Sequence, residues 1–317
     1  MLAESADSAL AAAPGALAGA LRSGRFVVTA ELTPPVATRL DPMIAQAQRL
    51  KGRAVAVNVT DGAGAKTHLS SLVASAVLVQ HGIEPILQIT CRDRNRLAIQ
   101  ADLLGAVALG IRNVLALGGD DPRVGDQPET KAVFDLSSGG LLAMADAMRR
   151  DRRLPSGTPI GGDFDLTLGG ADAPVDPPPG WDPRGLAAKM EAGADFIQTQ
   201  FCMDAGIVRR YAARLLELGI APRLAILIGV CPIPSARSAR WMREKLHGTI
   251  IADEIVQRLE GAADARSEGM RICAEFMREL VGIPGIAGAH VMAPVNPSVV
   301  ADVIAESGVS GAARAPC

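Results

Sequence analysis

Ala54-Val55-Ala56-Val57-Asn58-Val59 runs apolar and stops at Thr60-Asp61. The pattern recurs along the chain. Arg25-Phe26-Val27-Val28-Thr29-Ala30 stops at Glu31, and Pro85-Ile86-Leu87-Gln88-Ile89 at Thr90-Cys91-Arg92-Asp93. Val114-Leu115-Ala116-Leu117 stops at Gly118-Gly119-Asp120-Asp121, and Phe196-Ile197-Gln198-Thr199 at Gln200. Each run has the length of a strand, and stretches with helical spacing separate them. A strand that is apolar throughout is buried on both faces, as in a parallel sheet. Polar residues gathered at the ends of such strands form one rim of a barrel whose walls stay apolar.

Working outward, the pattern predicts strands at 25–31, 53–60, 84–90, 113–117, 196–200, 224–229 and 289–292, with a weak fifth strand at Pro159–Gly161. Helices are expected at 40–50, 67–80, 95–109, 137–150, 183–191, 205–218, 235–246 and 250–281, with 297–306 closing the chain. Residues 1–22 are Ala-rich and read as a helix that stops at Ser23-Gly24. The Gly- and Pro-rich segment 163–181 reads as a long loop, a feature that usually has a function. Eight strands alternating with helices, and no interior linker, predict an α/β fold: a single (β/α)8 TIM barrel over 25–317 with an N-terminal helical extension over 1–24. A doubly wound sheet is the alternative, but its glycine fingerprint would follow the first strand, where Glu31-Leu32-Thr33-Pro34-Pro35 stands.

Composition narrows the function. Of the 317 residues 49% are hydrophobic and only 3% aromatic, so the core is aliphatic and offers little for stacking bases. The net charge of −2 argues against a phosphate-backbone binder, so no nucleic-acid partner is expected. No run approaches the ~20 apolar residues of a membrane span, and the N-terminus, with Glu4 and Asp7, does not read as a secretory signal. Five scattered cysteines form no CxxC pair, which favours a reducing, cytoplasmic setting over a disulfide scaffold or a structural zinc site. No strand ends in Lys, which argues against a Schiff-base aldolase, and no His pair has metal spacing, so no metal is expected.

The rim residues carry the chemistry, each beside a plainer role. Glu31 ends an apolar strand before two prolines, and reads as a shielded general acid or as a strand-end carboxylate capping an amide. Gly118-Gly119-Asp120 lets backbone approach a flat ligand, with Asp120 accepting from ring N–H groups, or it is an ordinary turn. Gln200 is an amide that can both donate and accept at a heteroaromatic edge, or a satisfied core amide. Thr90 to Arg96 precedes a helix, with Asp93 as the expected N-cap; its amides and arginines would suit a phosphate or simply face solvent.

Taken together, Glu31-Leu32-Thr33-Pro34-Pro35, Val59-Thr60-Asp61-Gly62-Ala63, Leu87-Gln88-Ile89-Thr90-Cys91, Leu117-Gly118-Gly119-Asp120, Gly193 to Phe201 and Gly229-Val230-Cys231-Pro232-Ile233 occur in the order and spacing of one family. Over about residues 25–295 the chain resembles the methylenetetrahydrofolate reductases. The resemblance implies a flavin-containing (β/α)8 barrel with FAD, or FMN in its place. Hydride would pass from NAD(P)H or a protein electron donor through flavin N5 to 5,10-methylenetetrahydrofolate, in one-carbon metabolism and methionine biosynthesis. Glu31 then matches the general acid that opens the five-membered ring, Asp120 the carboxylate that stabilises the cationic electrophile, and Gln200 the amide that contacts folate. Thr60, Gly119 and Lys189 match flavin-binding positions. Asp61, Gln88 and Gly118 stand at cofactor positions where many members carry an aromatic residue, His and Arg. Gly161 to Leu166 stands where many carry Tyr-Pro-Glu-x-His-Pro, and Gly185 and Ala188 replace an Asn and an Arg. These departures keep two other readings in view: a folate-binding subunit without its own flavin, and a reductase that passes hydride directly from nicotinamide to folate. A homo-oligomer is compatible with all of them.

Overall fold

Strand β1 (Val27–Leu32) pairs in parallel with β2 (Ala56–Val59), and the ladder continues through β3 (Pro85–Thr90), β4 (Asn113–Leu117), β5 (Thr167–Asp172), β6 (Phe196–Met203) and β7 (Ala225–Val230). Two-residue β8 (Ile250–Ile251) adds only to the end of β6, and β9 (Gly288–Val291) pairs with both β7 and β1. The pairing closes into an eight-strand parallel barrel, as the apolar runs predict. This computed structural model describes residues 15–316. Residues 1–14 of the extension expected over 1–24 lie outside the described residues.

Helices α1 (Ala16–Arg22), α2 (Asp41–Leu50), α3 (Ser71–Gln80), α4 (Arg96–Ala108), α5 (Ser138–Asp151) and α6 (Arg184–Glu191) accompany the first half of the barrel. Helices α7 (Ala205–Glu217), α8 (Ala236–Lys245), α9 (Asp253–Gly261), α10 (Ala265–Val281) and α11 (Val300–Ser307) accompany the second. Side-chain caps mark several starts: Ser137 for α5, Asp204 for α7 and Ser235 for α8 each accept from a backbone amide of the first turn.

Two apolar layers hold the fold. The larger lies between sheet and helices and includes Val28, Leu87, Leu103, Leu142, Ile197 and Met277. The smaller fills the barrel itself, where Val27, Ala56, Ile86, Leu115, Phe196 and Leu227 meet around Leu17. Leu17 comes from α1, which packs into the N-terminal mouth, and the Glu84 carboxylate accepts from the amides of Ala16 (2.5 Å) and Leu17 (2.9 Å). Phe196 is accommodated because its neighbour on β5 is Gly169, where a Cβ would lie 2.3 Å from the ring.

The structure corrects the expected element boundaries in three places. The fifth strand is Thr167–Asp172, not Pro159–Gly161, so the expected 163–181 loop contains a strand, approached through buried Phe164 and Leu166. Its Thr-Leu-Gly-Gly-Ala-Asp sequence has poor strand propensity, and pairing with β4 and β6 imposes the extended form. The single helix expected at 250–281 is β8 followed by α9 and α10, divided where Asp264 caps the amides of Arg266 and Ser267. Helix α4 is capped by Asn95, which accepts from Leu97 and Ala98, and not by Asp93.

Candidate active site

A strand turns alternate residues inward, so a barrel interior is written at every second position. The apolar inner layer is followed one step up by Thr29, Asn58, Gln88, Gln198 and His290, and another step up by Glu31, Thr60, Thr90 and Gln200. The last set opens at the C-terminal rim into a cleft of about 550 Å³. Glu31, Thr60, Asp61, Gln88, Gly118, Gly119, Asp120 and Gln200 all line it. The structure thus gathers one candidate set from five strand ends.

Glu31 keeps a side chain 23% exposed, with Oε2 4.0 Å from Nε2 of His290. Asp120 lies across the cleft and accepts from the Gly64 amide at 2.9 Å. Its turn depends on Gly119, at φ +94°, where a Cβ would sit 2.8 Å from Cβ of Arg92. At Gly118 a Cβ would meet nothing within 4 Å, so that wall is open. Gln200 is tethered by backbone: Oε1 accepts from the Phe201 amide at 2.9 Å and Nε2 donates to the His247 carbonyl at 3.3 Å. The Thr60 hydroxyl is buried with no partner among the described residues.

Two residues of the expected cofactor set are committed elsewhere. Asp61 accepts from the amide and hydroxyl of Thr90, both at 2.8 Å, and from Arg94 at 2.7 and 3.3 Å. Arg94 also pairs with Asp102 at 2.8 Å. Burial opposes the charge on Arg94, but the hydrogen bonds and charges of Asp61 and Asp102 hold its pKa above the ordinary value. Lys189 does not line the cleft. Its stem lies against Gly170 and its ammonium reaches Asp172 at 3.5 Å, where the Tyr211 hydroxyl also donates at 3.0 Å.

The helix start after Thr90 is likewise occupied. Asn95 takes the first amides, and Arg92, Arg94 and Arg96 pair with Asp93, Asp61 and Asp135. Asp172, His247 and Thr199 also line the cleft but escape sequence reasoning. Asp172 was hidden by the misplaced fifth strand. Thr29, Asn58 and Gln198 were legible in principle, as polar residues two positions before Glu31, Thr60 and Gln200 on the same strands, whereas His290 stands on β9, whose end carries no candidate. Among the described residues no cluster of three or more metal-ligating side chains occurs, and no helix is long and apolar enough to cross a membrane.

Comparison with known proteins decides the family. The family model for methylenetetrahydrofolate reductase matches residues 16–308. The chain belongs to the methylenetetrahydrofolate reductase family. Methylenetetrahydrofolate reductase 1 of Schizosaccharomyces pombe is 26% identical over 81% of the chain and 42% of its own length. A probable methylenetetrahydrofolate reductase (NADPH) of Caenorhabditis elegans is 29% identical over 68% of the chain and 31% of its own. The chain thus spans less than half the length of these curated relatives. The 5,10-methylenetetrahydrofolate reductase of Pectobacterium carotovorum is 24% identical over 66% of the chain and 65% of its own length. A Clostridium thermocellum protein whose structure binds two copies of 5-methyl-5,6,7,8-tetrahydrofolic acid shares the fold, at TM-score 0.63 and 15% identity over 92% of this chain and 97% of that one.

Family membership raises the question of a flavin, and the cleft fits only part of one. The partnerless Thr60 hydroxyl, the Gln88 amide and the open wall at Gly118 suit the edge and face of a flat heteroaromatic ring. Beyond the ring, the cleft lining supplies no Lys or Arg of its own for the diphosphate that FAD and a nicotinamide dinucleotide share. The cleft is lined by the carboxylates of Glu31, Asp61, Asp120 and Asp172, of which Asp61 and Asp172 pair with Arg94 and Lys189, and by no Lys, Arg, Phe, Tyr or Trp. The corrected β5 also moves the segment that follows it. The residues that follow it, Ala173-Pro174-Val175-Asp176-Pro177-Pro178, carry no Tyr, Glu or His either.

Proposed function

We propose that the chain interconverts 5,10-methylenetetrahydrofolate and 5-methyltetrahydrofolate, with a nicotinamide nucleotide as the hydride donor. The observation that carries this reading is the convergence of Glu31, Asp120 and Gln200 on one rim cleft in a chain of this family. Glu31 donates its proton to N10 as the bond from N10 to the bridging carbon breaks, leaving an N5 iminium ion. Asp120 places a negative charge across the cleft from Glu31, where it stabilises that cation. Gln200, held by two backbone bonds, presents a fixed amide to the pterin or the nicotinamide carboxamide. Hydride from C4 of the dihydronicotinamide reaches the iminium carbon, giving the methyl group and the oxidised nucleotide. Glu31 recovers its proton from solvent.

Direct transfer is favoured over a resident FAD or FMN by the departures at Asp61, Gln88 and Gly118 from the family's cofactor positions and by the commitment of Asp61 and Lys189 to Arg94 and Asp172. Four buried thiols, Cys91, Cys202, Cys231 and Cys273, support a reducing compartment.

The test is the visible spectrum of the purified chain, followed by turnover with 4-deuterated NADH and NADPH. A colourless protein that places deuterium in the methyl group supports direct transfer. Bands near about 450 nm that bleach with the donor and return with methylenetetrahydrofolate would establish a flavin carrier instead. A chain that binds methyltetrahydrofolate but turns over with no donor would be a binding subunit.

A further inference from the structure

Below Glu31 the barrel carries a buried polar chain that the proposed reaction does not by itself require. Asn58 and Gln198 pair reciprocally, Nδ2 of Asn58 donating to Oε1 of Gln198 at 2.5 Å and Nε2 of Gln198 donating to Oδ1 of Asn58 at 2.9 Å. The second hydrogen on Nε2 of Gln198 goes to Oγ1 of Thr29 at 3.0 Å. That nitrogen then has no hydrogen left for Nδ1 of His290, 3.4 Å away. Thr29, already an acceptor, has one hydrogen to give, and Nδ1 of His290 lies 2.9 Å from its oxygen. All four side chains are at most 3% exposed, so water does not compete for these bonds.

With the two amides so oriented, and no other acceptor beside the Thr29 hydroxyl among the described residues, one arrangement gives every donor a partner. Nδ1 of His290 accepts, so the ring hydrogen sits on Nε2. Nε2 is the atom aimed at Glu31, 4.0 Å from Oε2. We propose that the Asn58–Gln198–Thr29 chain locks His290 as its Nε2–H tautomer, and that this hydrogen stabilises the Glu31 carboxylate as it forms. The inference rests on the reading of Glu31 as proton donor. A rotation of the carboxylate, or one bridging water, closes the 4.0 Å gap. His290 and Thr29 are positioning residues, acting on the reaction through Glu31. The buried Cys231 thiol, raised by burial, also faces Glu31 and stays neutral, while Asp61, Asp120, Asp172 and His247 share the cleft.

Two measurements test this. The ¹⁵N spectrum of the histidine-labelled whole chain, with the His290 signal assigned by its loss in His290→Gln, is expected to show a protonated Nε2 and a bare Nδ1. A protonated Nδ1, which the opposite orientation of both amides would impose, overturns the proposal. In turnover, Thr29→Val is expected to lower kcat about tenfold with KM changed less than about twofold. A donor to the charged form lowers a carboxyl pKa, so its loss moves the alkaline limb of the kcat profile to higher pH. Thr29→Ser, which keeps the hydroxyl, is expected to restore both. Wild-type kcat and pH profile in Thr29→Val would also overturn the proposal. A wild-type chain with no folate turnover would instead defeat the reading of the reaction, leaving the tautomer to the spectrum, which also decides should Thr29→Val fail to fold.

Discussion

Asp61→Ala separates a structural carboxylate from a ligand-binding one. The Asp61 side chain is 8% exposed and accepts from Arg94, from the Thr90 amide and hydroxyl, and from Ser71. Removing one member of a buried ion pair costs about 3–5 kcal/mol because the other charge is left uncompensated. Arg94 retains Asp102 at 2.8 Å and a side chain 19% exposed, which puts the cost at the low end, about 3 kcal/mol. At about 2 °C per kcal/mol for a chain of this size, Tm falls by about 6 °C. Scanning calorimetry reads that shift, and turnover measured well below the transition reads the site. The expected result is a lowered Tm with folate turnover reduced severalfold at most. An unchanged Tm with abolished binding of nucleotide or flavin would refute the reasoning and return Asp61 to the ligand.

Glu31→Gln is expected to slow methylene reduction about 10²–10⁴-fold while nicotinamide nucleotide binding, followed by fluorescence titration, stays intact; equal loss of both would remove Glu31 from the proton-transfer role. Asp120→Asn is expected to slow folate reduction through loss of the charge facing the iminium, and wild-type folate kinetics would exclude that role. Gly169→Ala puts a methyl group 2.3 Å from the Phe196 ring and is expected to cost about 1–3 kcal/mol in urea denaturation, with recovery in the Gly169→Ala, Phe196→Leu double variant. No loss in the single variant would show that the ring has other room. The Arg92 hydrogen bond holds the Asp93 carboxyl below its ordinary value. Its contribution is therefore complete above about pH 4 and lost as pH falls through the lower folded value; urea midpoints across that range are expected to fall less steeply in Asp93→Asn, and parallel curves would deny Asp93 this contribution.

Much of the barrel was legible because its signals are local. A strand buried on both faces must be apolar over several residues, and a helix announces itself by spacing and by caps such as Ser137 and Asp204. The same logic marked the rim: Glu31, Thr60, Asp120 and Gln200 end or follow apolar runs, Gln88 interrupts one, and all reach one cleft. The fifth strand was not legible, because Gly169 and Gly170 carry no strand preference of their own. They are extended because β4 and β6 offer backbone partners, and Gly169 is required by the size of Phe196 on the neighbouring strand.

The sequence by itself determined that this is a parallel α/β barrel with acids and amides at one rim, since alternation and strand termination act over a few residues. Only the tertiary structure decided what each polar side chain is free to do. Asp61 is spent on Arg94, Lys189 is held behind Asp172, and Asn58 meets Gln198 from 140 positions away to set the ring of His290 beneath Glu31. Hydrogen-bond capacity is finite, and which groups exhaust it depends on neighbours that barrel closure alone brings together.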